Sequence, residues 1–140
     1  MEFQSCLDKQ DALKSAFSSL STQEEKYHRV IEIGRETVQL PANEHLDEYI
    51  VQGCQSLLYL KVECIDHKLV LSTYSDALIS LGLASILISI YQNEPPETVF
   101  KCPPTVLKSI GLLSALSPSR ASGLKSLFQK LQKDTAKWIK

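Results

Sequence analysis

The stretch from Ala77 to Tyr91, "ALISLGLASILISIY", most narrows what this chain can become. Its apolar residues run around every side of a helix instead of along one stripe, so a helix formed here needs neighbours on most of its surface. Ser80, Gly82, Ser85 and Ser89 interrupt the tract, and it falls short of the ~20 apolar residues a membrane span requires. It therefore reads as a buried central helix, with Ser75 or Asp76 in front of it as the N-cap.

The rest of the chain supplies candidates to wrap that helix. Asp8 to Leu20 reads as a first helix. "STQEEKYHRVIEIGRE" opens a second, with Thr22 and Glu25 at the spacing of a capping box and Tyr27, Val30, Ile31 and Gly34 recurring at three and four. From Gln39 to Glu48 the chain is polar and contains Pro41, the signature of a loop. "LLYLKVECIDHKLVLSTY" gives two strands, with Leu58, Leu60, Val62 and Cys64 on one face of the first and Asp66-His67 as the turn. "NEPPETVF" and "CPPTVLKSIGLL" place prolines where short helices start. Ser117 followed by Pro118 begins a last helix that carries Leu124, Leu127, Phe128 and Leu131 on one stripe and ends near Trp138. The expected fold class is α+β, a small antiparallel sheet of about three strands flanked by several helices. At 140 residues, without internal repeats, the chain reads as one domain over 1–140.

Charge and cysteine usage exclude several functions. Fifteen basic against 16 acidic residues leave a net charge of -1, which argues against electrostatic binding of nucleic acid or an acidic membrane. "MEFQSCLDKQ" lacks a basic segment followed by an apolar core, so a cytosolic protein is expected. In that compartment Cys6, Cys54, Cys64 and Cys102 read as reduced thiols. None forms a C-x-x-C pair, and His28, His45 and His67 show no ligand spacing with them, so no metal site is expected.

One cysteine stands apart. In "IVQGCQSLLYL", Gly53 weakens β pairing and marks a tight or left-handed backbone, which puts Cys54 on a turn. A thiol there is either a buried packing residue or one that meets solvent and reacts, and Gly53 favours the second. Cys64 reads as core by its place on the apolar strand face, and Cys102 as a loop residue before Pro103-Pro104. Asp76 is accounted for as a helix cap. Arg120 sits in the first turn of the last helix, where a cation opposes the helix dipole; either a structural salt bridge or a functional role explains it. Ser56 has no histidine and acid at recognisable spacing and reads as a backbone hydrogen-bonding group.

"EEKY" followed by "IEIG", then "VQGCQS", "SDA" with "GL", and "SPSRASGL" occur in that order. With these motifs the chain resembles the SufE family of sulfur-acceptor proteins over most of its length. The resemblance implies a SufE/IscU-like fold in which Cys54 takes sulfane sulfur from a pyridoxal-phosphate-dependent, SufS-type cysteine desulfurase and holds it as a persulfide. It further implies stimulation of that enzyme and delivery of sulfur to a downstream iron–sulfur scaffold complex, with no cofactor of the chain's own. Gln52, Gly53, Gln55 and Ser56 would form the loop, with Asp76 and Arg120 near it; a homodimer is left open. The pattern departs at Tyr59, where family members carry tryptophan, which bears on packing behind the loop. Two rival readings are an iron–sulfur scaffold using Cys54, Cys64 and Cys102, and a thiol hydrolase, which needs a general base near Cys54.

Overall fold

The apolar tract becomes helix α3 (Leu78–Tyr91), and ten of its 14 residues are buried, which is what an all-round hydrophobic helix demands. The computed structural model describes residues 3–139. Around α3 are arranged α1 (Gln4–Ser18), α2 (Gln23–Glu36), the strands β1 (Leu58–Ile65) and β2 (Lys68–Ser75), the short helices α4 (Thr98–Lys101) and α5 (Val106–Ser109), and α6 (Pro118–Thr135). Helix α2 crosses α3, β2 lies against α3, and α6 packs on both β1 and α3. No helix among the described residues is long and apolar enough to cross a membrane.

Helix α2 starts as its capping box requires: the Glu25 backbone N–H donates to Thr22 Oγ1 at 3.1 Å. Its crossing with α3 is unusually close. A side chain at Gly34 would run into the Leu78 carbonyl, and one at Gly82 into the Val30 carbonyl. Helix α1 starts at Gln4, four residues earlier than expected, because Cys6 is fully buried and extends the packed face toward the N-terminus.

The sheet is an antiparallel hairpin of two strands, not three, in register from Leu58 opposite Ser75 to Ile65 opposite Lys68. Beside it lie the bridge Ile50–Tyr59 and single backbone hydrogen bonds from Leu40 to Thr73 and between Leu69 and Asn93–Glu94, and the segment before β1 spends residues on two single helical turns, Ala42–Glu44 and Asp47–Tyr49. Asp66 and His67 both have positive φ, 53° and 62°, as a two-residue hairpin turn of the I′ type needs.

Two further expectations are corrected. Neither Ser75 nor Asp76 caps α3: the N-cap is Ala77, whose backbone N–H donates to Ser75 Oγ at 3.3 Å. Cys64 is half-buried, because the hairpin leaves the helices toward its tip and exposure climbs to 56% at Ile65. Cys102 stands in the bend after α4, as a loop residue, and is buried with Cys6. Gln10 Nε2 lies 3.7 Å from Cys6 Sγ and 3.5 Å from Cys102 Sγ. Burial, with Cys102 beside it, pushes the Cys6 thiol up to about 12.

Candidate functional site

The loop that carries Cys54 is clamped at its base. The Val51 N–H donates to the Leu58 carbonyl at 2.8 Å, and Leu57 N–H donates to the carboxylate of Asp76 at 3.1 Å. Between these clamps Gly53 turns the chain with φ of +84°, a conformation that side chains with a Cβ rarely adopt. The turn also presses against α6, where a Cβ at Gly53 would lie 2.8 Å from Ser126 Oγ. The loop is thus seated on the last helix by a glycine that nothing larger replaces without strain.

Seated this way, Cys54 is half-buried and its thiol donates to the Gly123 carbonyl at 3.6 Å. Its inner side faces a cavity of about 50 Å³, bounded by Ser56 and Leu58 from the loop and β1, Leu83 and Ala84 from α3, and Arg120, Gly123 and Leu124 from α6. Such a volume suits one or two atoms the size of a water oxygen. The outer side opens to solvent between Gln55 and the start of α6 at Pro118, Ser119 and Ser122. Burial raises the pKa of the Cys54 thiol above its ordinary value.

Arg120 is half-buried at the cavity wall, and its guanidinium carbon lies 5.9 Å from the centre of the Tyr27 ring. Among the described residues it has no ion pair, so the salt bridge that would account for a cation in the first turn is not formed. Tyr27 on α2 takes up that charge as a cation–π partner. The guanidinium does not offset the effect of burial on Cys54.

Of the residues singled out by sequence, Cys54, Gln55, Ser56 and Arg120 meet at one cavity, with Gly53 forming the turn. Asp76 reaches the loop by a route the sequence did not suggest, as a brace on Leu57. Gln52 is exposed and lines neither side of the thiol. Sequence reasoning missed Gly123 and Tyr27, although both lie in motifs it had marked. Cys64 and Cys102 do not join Cys54, and among the described residues no three His, Cys, Asp or Glu side chains gather as metal ligands.

This arrangement can do thiol chemistry: a cysteine sulfur on a clamped loop, with a pocket behind it lined by both apolar side chains and the hydroxyls of Ser56, Ser80 and Ser119, and a cation at its edge. The chain is 29% identical over 129 residues to an uncharacterized SufE-like protein of Rhizobium meliloti (strain 1021), covering 89% of this chain and 92% of that protein. With an uncharacterized SufE-like protein of Synechocystis (strain ATCC 27184 / PCC 6803 / Kazusa) the identity is 33% over 82 residues, 59% of this chain and 52% of the relative. A solution structure of a hypothetical protein from Thermus thermophilus shares the fold, with a TM-score of 0.77 at 23% identity, covering 94% of this chain and 96% of that one. The family model for SufE, described as an Fe-S metabolism associated domain, matches residues 11–135, and the chain belongs to that family.

Proposed function

We propose that this chain, acting as one domain, is a sulfur acceptor and carrier that works with a cysteine desulfurase. The Cys54 thiolate attacks the outer sulfur of the donor enzyme's cysteine persulfide; a new S–S bond forms on Cys54 as the donor's S–S bond breaks, and the donor leaves as a thiolate. The proton lost from the Cys54 thiol balances the one the donor thiolate takes up. No oxidant or reductant is consumed.

The observation that carries this reading is the half-buried Cys54 thiol facing an atom-sized cavity in a SufE-family domain. Hinging of the loop between the anchors at Val51 and Leu57 would supply access, and the apolar side chains of Leu58, Leu83 and Leu124 line the inner side where a loaded sulfur would lie. Release of the carried sulfur to an iron–sulfur scaffold complex, and a cytosolic setting, belong to the same proposal. The scaffold reading lacks a gathered set of cysteines, since Cys54, Cys64 and Cys102 stand apart.

Incubation with a purified SufS-type desulfurase, pyridoxal phosphate and cysteine, followed by intact-mass measurement, tests it. The expected product is one added sulfur atom, absent in Cys54→Ser and present in Cys64→Ser. Full stimulation of the desulfurase by a folded Cys54→Ser variant would overturn the proposal.

A further inference from the structure

Gly123 is a glycine in the interior of an 18-residue helix, where it is the poorest choice short of proline. The reason lies at the cysteine loop, whose thiol rests on the Gly123 carbonyl. The Gly123 backbone is ordinary helix and its φ is not positive, and a Cβ built on it meets no neighbouring element except the cysteine loop. That Cβ would stand 3.4 Å from Cys54 Sγ and 4.0 Å from Cys54 Cβ, ordinary contact distances for the bare thiol. Alanine would therefore fit the protein as it rests, and it would strengthen the helix.

A residue that weakens its own element where it touches a reactive thiol is a candidate for a role in that thiol's chemistry. We infer that Gly123 keeps open the space into which the outer sulfur of a Cys54 persulfide folds, making it a positioning residue for the loaded carrier. The inference rests on the carrier reading above. About 50 Å³ is available beside the thiol and Gly123 forms part of its wall, so a methyl group at position 123 takes room that one extra sulfur would use. A Cβ there narrows the cavity from the α6 side, opposite the apolar wall of Leu83 and Ala84 on α3. The outer sulfur is then driven outward, toward Ser119 and solvent, where thiol reductants reach it.

The test compares wild type, Gly123→Ala and, as a control at an exposed position of the same helix, Gln129→Ala. Each is loaded in two ways, by desulfurase with cysteine and by glutathione persulfide, so that one arm does not depend on docking. Persulfide on Cys54 is read by intact mass, and its loss is timed after addition of a thiol reductant. Gly123→Ala is expected to have a Tm higher by about 2–4 °C, as a helix-favouring substitution gives. Its persulfide is expected to be lost about tenfold faster with either donor, the effect of crowding a filled site. Gln129→Ala should keep the wild-type lifetime. A Gly123→Ala persulfide that lasts as long as the wild-type one overturns the inference and leaves the carrier reading standing. Failure of wild type itself to take sulfur from either donor overturns the carrier reading, and the inference falls with it.

Discussion

The carboxylate of Asp76 accepts the backbone N–H of Leu57 at 3.1 Å, and the Asp76 N–H returns to the Leu57 carbonyl at 3.4 Å. This two-way pairing ties the exit of the cysteine loop to the segment that enters α3. Asp76→Ala should cost about 1 kcal/mol and raise the open population of the loop about fivefold. Alkylation of Cys54 by iodoacetamide should accelerate by that factor, with Asp76→Asn, which keeps an acceptor oxygen, closer to wild type. An unchanged alkylation rate in Asp76→Ala would show that the brace does not govern the loop.

Arg120 joins the cavity wall to the Tyr27 ring. Arg120→Ala should lose only about 0.5–1 kcal/mol of stability, the scale of a partly exposed cation–π contact. Sulfur acceptance by Cys54 should slow several-fold, with Arg120→Lys intermediate because lysine keeps the charge but not the planar fork. The time course of persulfide formation by the desulfurase measures it. Unimpaired acceptance by the alanine variant would confine Arg120 to packing.

The crossing of α2 over α3 leaves no room for a methyl group at Gly82. Gly82→Ala must separate the helices or unseat Val30, and the expected loss is about 3 kcal/mol. Urea denaturation would register it as a lower midpoint. A variant within about 0.5 kcal/mol of wild type would mean the crossing relaxes freely, contrary to dense interior packing.

Alkaline pH should weaken the fold. Cys6 is held up to about 12 against 9.0 for a free thiol, and the pKa values of Cys54 and the buried Tyr91 hydroxyl are raised as well. Each group keeps its proton longer in the folded chain than in the unfolded one. The resulting stability is complete below pH ~9 and declines as pH rises toward 12, because the unfolded chain ionises first. Thermal scans between pH 8 and 11 should show a falling Tm, with a shallower slope in Cys6→Ala at its own lower plateau. A slope in Cys6→Ala equal to that of wild type would remove Cys6 as a source.

Much of this was legible in the sequence where a local rule and the tertiary answer coincide. The all-round apolar α3, the Thr22–Glu25 box and the Asp66-His67 turn each follow from a short pattern with one physical solution. The motif around Cys54 marked the loop for the same reason, since glycine before the thiol has few other uses. What stayed hidden depended on distant partners. Asp76 looks like a cap from its neighbours in sequence, yet its partner Leu57 lies 19 residues upstream. Gly123 reads as a weak point in a helix until Cys54, 69 residues away, folds onto it. Cys64 obeys the alternation of its strand, but alternation says nothing of how far the hairpin projects beyond the helices that cover it.

Pinning both ends of the cysteine loop sets a tether length. Six residues, 52 to 57, span the distance between the Val51 and Leu58 anchors, which are hydrogen-bonded to each other. A chain that short, leaving and returning to one point, extends at most about 10 Å from its base. The sulfur atom's reach is therefore that of a swivel, not of a swinging arm. On the carrier reading, a donor or recipient brings its own reactive atom within that radius of the start of α6.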